Sequence, residues 1–322
     1  MQEIKKTKER SEWSLPRVLT VLRLKRSVYF SWKLKSRGNV REDGSGKREQ
    51  LSRLLPEEEA AIVSYAKAHP PEGYRRLCWM MVDEDVAYVS PSTVYNVLDQ
   101  HDLLYRWKRP EASVTKVTPP SSPNQRWHTD IMYLWLADRW YFFVGVIDGY
   151  SRYVVHWELL TSMQAEEITL VVQWALERCL GAHPVIVNDN GGQFTGKEFK
   201  KLLKRFQLQQ IRTKVRHPES NGIIERFHRS LREKLSEKDL KNLSRAREII
   251  GEWVDYYNHH RLHGGIQYLR PVDYHFGDPE NLIGIRKEKL ARAREHRKLI
   301  NQVRSNEVNR SNLEPSKSLF CA

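Results

Sequence analysis

The sequence predicts a mixed α/β fold with a small all-α module ahead of it and a basic tail behind it. Three observations carry this. Between Gln125 and Trp157, three runs rich in aromatic and β-branched residues are separated by turn signals. From Gln164 onward, helical patterns alternate with two short apolar runs. Residues 54–108 read as short helices with tight turns between them.

The elements follow in chain order. Residues 1–53 form a basic segment, with one or two short amphipathic helices between Trp13 and Leu34 and a weak Gly/Ser-rich linker from Arg37 to Gln50. Residues 54–108 form the helical module. Pro56-Glu57-Glu58-Glu59 is a helix start, with proline in the first turn and acids at the positive end of the dipole. A second helix covers Tyr74 to Val82. In the third, Ser90 can cap, and Pro91 fits the first helical position. The trio suggests a helix-turn-helix whose last helix, Ser90 to Gln100, would read DNA with Ser92, Thr93 and Asn96. A plain helical bundle is the competing interpretation.

A proline-rich linker, 109–124, leads into a core of 125–280. Strands at Trp127–Trp135 and Arg139–Ile147 are followed by the turn Asp148-Gly149-Tyr150-Ser151 and a strand at Tyr153–Trp157. A helix, Gln164 to Leu180, is capped by Thr161 or Ser162. A buried strand, Pro184 to Asn188, a capped helix, Thr195 to Phe206, and a strand, Gln209 to Thr213, come next. The polar loop Lys214–Asn221 opens a long helix at Gly222, and helical pattern continues through Asn258. Residues 281–322 form the tail, dense in Lys and Arg from 286 to 310 and read as helical or disordered. Trp127, Trp135, Trp140, Trp157, Trp174 and Trp253 are assigned to the interior.

Composition narrows the partners. With 54 Lys and Arg against 40 Asp and Glu, the chain of 322 residues carries +14, and its pI is near 9.6. Such a balance favours a polyanionic partner. Cys78, Cys179 and Cys321 are odd in number and far apart, which indicates neither a disulfide framework nor a zinc cluster. His217, His259, His260 and His263 have no cysteine nearby, and they read as surface or structural histidines. No apolar run reaches membrane-spanning length and no secretory signal opens the chain, so a soluble, cytoplasmic protein is expected.

Three carboxylates carry the chemistry. Asp130 is a charge in the middle of an apolar strand, costly unless it has a purpose. Asp189 closes a buried strand, where ligand sites of α/β sheets gather. Glu225 opens a helix on which Arg229 and Arg232 lie four and seven residues on, along one face. Taken singly, Asp189-Asn190-Gly191-Gly192 is a turn and Glu225 with Arg229 a surface ion pair. Asp148 is a competing acid, better explained as a hairpin corner. Three acids converging from rigid elements suit hard divalent cations acting on a phosphodiester.

At these residues the chain resembles the retroviral-integrase-like, Asp-Asp-Glu catalytic core of bacterial insertion-sequence transposases. Trp127-His128-Thr129-Asp130-Ile131, the Val146–Arg152 hairpin, Asn188–Phe194 and Pro218–Phe227 are similar to that family's successive motifs, with 35 residues between Asp189 and Glu225. Tyr257–His263 and Leu269-Arg270-Pro271 resemble its closing block, and His69 to Leu104 its helix-turn-helix. The resemblance implies a ribonuclease-H-like fold and Asp130, Asp189 and Glu225 as catalytic metal ligands. It also implies two Mg²⁺ ions, replaceable by Mn²⁺. Arg226, Arg229 and Arg232 would contact DNA. The expected function is end cleavage and strand transfer of a mobile element by a homo-oligomer on double-stranded DNA, in the nucleoid of a bacterium, with no membrane partner. The alternatives are a DNA-binding regulator that has lost catalysis, or a simple metal-dependent nuclease.

Overall fold

The computed structural model describes residues 52–104, 119–212, 222–236 and 242–313, apart from 71 and 137, together with residues scattered among the first 30. The linker Arg37–Gln50, residues 109–118, the loop Lys214–Asn221 with His217, and 314–322 lie outside the described residues. By packing, the chain falls into two units, residues 57–291 and residues 1–56 with 292–322. In the smaller, helix α1 (Leu15–Val21) buries Val18 and Leu19 against Ile4 and Tyr29.

Three short helices come first in the larger unit. Helix α2 (Pro56–Ala68) has Glu57, Glu58 and Glu59 in its first turn, where the dipole favours them. Helix α3 (Tyr74–Asp83) buries Leu77, Cys78, Met81 and Val82. Helix α4 (Pro91–Gln100) starts as expected: Ser90 Oγ accepts from the Thr93 N–H at 3.2 Å, and Val94, Val97 and Leu98 point inward. Cys78 Sγ donates to Val89 O at 3.2 Å, and burial pushes the thiol up to about 12, so it is inert.

The core is a five-stranded sheet in the order β3-β2-β1-β4-β5. Strands β1 (Arg126–Leu136), β2 (Arg139–Asp148) and β3 (Val154–Leu160) run antiparallel, while β4 (Val185–Asn188) and β5 (Gln210–Arg212) join β1 in parallel. This is the mixed, ribonuclease-H-like sheet the sequence led us to expect. Side chains alternate across the pleat and so serve two cores. One face, with Met132, Leu134, Leu136, Phe143 and Leu159, is covered by α8 (Gly222–Ser236) and α9 (Leu243–His259). The other, with Trp127, Val144, Val146 and Ile186, is covered by α5 (Ala165–Arg178), α6 (Gly192–Thr195) and α7 (Lys197–Arg205).

Two polar ties fix the second half of the chain. Buried Asn258, near the end of α9, acts as a surrogate strand: its Oδ1 accepts from Val154 N at 2.9 Å and its Nδ2 donates to Val154 O at 3.0 Å. These bonds fall beside the register shift between Val146 and Ile147, which interrupts the β2–β3 ladder. After α10 (Pro271–Phe276) comes α11 (Pro279–Leu313), so the described part of the tail is helical. Its Arg286 is buried, donates Nε to Asp83 Oδ1 at 2.7 Å and Nη2 to Asp83 Oδ2 at 2.5 Å, and reaches the carbonyls of Gln267 and Tyr268. Lys289 pairs with Asp85 next to it.

Some expectations need correction. The helix expected from Thr195 to Phe206 is split, because Gly196 is extended (φ −65°, ψ 169°) and α7 starts only at Lys197. Neither Thr161 nor Ser162 caps α5: its N-cap is Gln164, and the Ser162 hydroxyl donates to Glu167 instead. Trp127 is fully buried, but Trp135 and Trp140 are 56% and 51% exposed and Trp174 is exposed as well. For Trp135 and Trp140 the reason is topological. Strand β4 pairs with β1 only up to His128, and β3 pairs with β2 only from Phe142 onward, so the far end of the β1–β2 hairpin projects beyond the sheet. There Tyr133, Trp135 and Trp140 pack edge-to-face on one another, at 6.3 and 5.1 Å between ring centroids.

Candidate active site

Asp130 sits in mid β1, on the face covered by α8. Its partner across β2 is Gly145, which has no side chain to fill the space beside the carboxylate. On the other side β1 runs parallel to β4, with His128 opposite Val187. The ladder ends there, and the charge of Asp189, two residues further along, still acts on the Asp130 carboxyl. Asp189 lies just past the last residue of β4, where its Oδ1 accepts from the Gly191 N–H at 2.9 Å. A Cβ at Gly191 would stand 2.8 Å from Gln193 Oε1 and 2.9 Å from that same Asp189 oxygen, so a larger residue would have to displace one of those side chains.

The third acid arrives from the covering layer. In α8, Ile224, Phe227, Leu231 and Leu235 are buried at helical spacing, which leaves Glu225 exposed beside the sheet. Arg226, Arg229 and Arg232 are likewise exposed on α8. Ser92 and Asn96 are exposed on α4, and Thr93 is half-buried. The Ser92 and Thr93 hydroxyls lie 2.8 and 2.9 Å from Ser90 Oγ, in one cluster at the helix start.

The electrostatics mark Asp130 out. Burial pushes its carboxyl up to about 6, the negative charges of Asp189 and Glu225 push the same way, and only the Ile131 N–H, 2.9 Å from Oδ1, opposes them. Asp130 therefore feels the charges of both other acids. The donor set of the three fits a divalent cation: hard carboxylate oxygens whose mutual repulsion a cation would relieve. Among the described residues no three His, Cys, Asp or Glu groups stand close enough together to grip one ion, so the acids are gathered but not drawn in.

One neighbour was not foreseen. His228, one turn after Glu225, is buried under the sheet with Nδ1 3.6 Å from Asp130 Oδ2. Burial pushes it down to about 3, helped by Arg232, so the ring is neutral and the pair is not a salt bridge. The signal available in the sequence was a histidine three residues after the acid, on its helical face.

Asp148 is a different kind of acid. It is fully buried at the end of β2, and its Oδ1 accepts from Asn124 N at 2.8 Å. Its Oδ2 accepts from Ser151 N at 2.8 Å and from Ser151 Oγ at 2.7 Å. Burial alone would raise its carboxyl, but His275 most of all, and then the bonds from Ser151 and Asn124, outweigh that and hold it below the usual range. The hairpin-corner interpretation fits this wiring. His263, one of the four histidines considered for zinc, stacks edge-on against Tyr257 at 4.4 Å, and His259 lies 2.8 Å from Asp255.

Comparison with known proteins points to an integrase core domain. Residues 120–218 match a family model described as integrase core domain, and residues 207–271 match a second model of the same description. The chain is 26% identical over 167 residues to the transposase for insertion sequence element IS904 of Lactococcus lactis subsp. lactis (strain IL1403), spanning 50% of this chain and 65% of that protein. It is 34% identical over 113 residues to transposase InsF for insertion sequence IS3A of Escherichia coli (strain K12), spanning 35% and 39%. The chain thus spans less than two thirds of the length of either relative. Among solved structures it is similar to the HTLV-2 integrase catalytic core domain in complex with magnesium, at 19% identity and a TM-score of 0.41 over 48% of this chain and 98% of that one.

Proposed function

We propose that this chain, which matches integrase core domain models over residues 120–218 and 207–271 and is similar to insertion-sequence transposases, cleaves DNA at the ends of a mobile element and transfers those ends to a target. The observation that carries the proposal is the state of Asp130: a half-buried carboxylate in mid-strand, with its pKa raised by burial and by the negative charges of Asp189 and Glu225. Strained acids of this kind cluster at functional sites.

Asp130 and Asp189 would hold divalent metal ions, Mg²⁺ or Mn²⁺, and Glu225 would complete the site. When bound, such ions activate water and stabilise the leaving oxygen of a phosphodiester. The protein does the rest. Strand β1 and the end of β4 would supply two of the acids, and α8 the third. Arg226, Arg229 and Arg232 would hold the DNA backbone by charge-assisted bonds. Residues 54–108 would read the element ends through Ser92, Thr93 and Asn96 on α4. Two copies of the chain or more would bring paired ends together.

The test is Asp130→Asn. The variant should bind end DNA in a gel-shift assay yet lose Mg²⁺-dependent nicking and joining of pre-cut ends. A variant that still recombines DNA normally sinks the proposal. A wild-type chain that binds DNA but never nicks it, with Mg²⁺ or Mn²⁺, makes the protein a regulator. That second reading is favoured by one observation, the absence of a closed three-acid cluster among the described residues. Nicking without joining makes it a nuclease.

A further inference from the structure

The ring of His228 lies under the sheet with few polar partners. Phe143 meets it edge-on at 5.8 Å between centroids, and Phe227 lies against it at 6.2 Å. Only Nδ1 faces a polar atom among the described residues, the Asp130 Oδ2 at 3.6 Å, while Nε2 is buried with no partner. A neutral imidazole has one N–H to place. On Nε2 it would be a buried donor with no acceptor, costing about 1–3 kcal/mol, and the Nδ1 lone pair would face an anionic oxygen. On Nδ1 the N–H lies 3.6 Å from that oxygen, just beyond hydrogen-bond reach, and a shift of a few tenths of an ångström would bring the two within it. The surroundings therefore choose the tautomer.

The other carboxylate oxygen is already engaged, since Oδ1 accepts from Ile131 N. We propose that His228 is a positioning residue whose Nδ1–H steadies Oδ2 of Asp130, so that the carboxylate is held by one donor on each oxygen and turns its remaining lone pairs toward Asp189 and Glu225. This rests on the metal-holding role given to Asp130 above. It ties that acid to the helix bearing Glu225: the residue that orients the first ligand and the residue that supplies the third are one turn apart on α8. Partners of this sort fix the direction in which a ligand offers its electrons.

The experiment uses the full chain. Without metal, ¹⁵N chemical shifts of the His228 ring should report the Nδ1–H tautomer. In His228→Phe, a ring of similar shape without the donor, the Asp130 carboxyl titration should move to higher pH, because the charged form has lost a hydrogen bond. Mn²⁺ affinity, read by water-proton relaxation, should fall about tenfold. His228→Asn places an amide N–H near the site of Nδ1 and should restore both readouts. Should the Phe variant not fold, His228→Gln replaces it: its amide reaches the position of Nε2 and should behave as Phe would. An Nε2–H ring in the wild type overturns the inference. So does a Phe or Gln variant with unchanged titration and affinity, or an Asn variant as impaired as Phe. If the wild type binds no Mn²⁺, the metal reading itself fails, while the tautomer and the metal-free titration still decide what His228 does.

Discussion

Asp130 and Asp148 belong to the same pair of strands, and both are largely withdrawn from water, yet they are held in opposite ways. Asp148 has three donors on its two oxygens and a carboxyl below the usual range. Asp130 has one short hydrogen bond, two like-charged neighbours and a carboxyl near 6. The difference separates an acid that stabilises the fold from one that the fold tolerates. Burial alone does not mark a functional carboxylate; burial with incomplete satisfaction does.

The largest effect should come from removing the satisfied acid. Asp148→Ala leaves Asn124 N, Ser151 N and the Ser151 hydroxyl without their acceptor, and urea unfolding should show a loss of about 3 kcal/mol or more. Its stabilisation is present above the ordinary carboxylate value and fades only as pH falls below 3.8, through the depressed folded value. A loss under about 1 kcal/mol would erase the contrast.

Asp130→Asn should do the reverse. A rise from 3.8 to about 6 means that the ionised form costs the metal-free fold about 3 kcal/mol at neutral pH. The Asn variant should gain about 1–3 kcal/mol at pH 7, and the gain should vanish as pH falls through 6 toward 4, where the wild-type acid takes up its proton. A destabilised Asn variant at pH 7 would contradict the comparison.

Next in size is the pH dependence of metal binding. A carboxylate must shed its proton to become a ligand. Mn²⁺ affinity should therefore drop about tenfold per pH unit below about 6 and level off above it. Calorimetry at several pH values checks this, and a flat profile between pH 5 and 7 would place the ion elsewhere. The smallest effect concerns Ser90, a neutral counterpart of Asp148 that accepts one backbone N–H at the head of α4. Ser90→Ala should cost about 1 kcal/mol.

Much of this was legible in the linear chain, and the parts that were not share a cause. Local chemistry announced itself: Ser90-Pro91 as a helix start, Asp148-Gly149 as a corner, Asp189 as a strand end. Alternation placed Asp130 in a strand but could not say that Gly145 would face it or that the charge of Asp189 would reach it, because pairing across strands is a long-range property. The tryptophans misled for the same reason. Trp135 and Trp140 look like core residues until the pairing limits of β3 and β4 leave their stretch of hairpin uncovered. His228 was passed over because its meaning depends on which helix covers which face.

Arg286 has a practical corollary for engineering. One guanidinium joins the close of α3 to the Gln267-Tyr268 turn and to the head of α11. Anyone building a chimaera by grafting a foreign DNA-reading head onto this body must import an acid at the place of Asp83. Without it an interior cation loses its counter-charge, and the graft should misfold however well its own helices are formed.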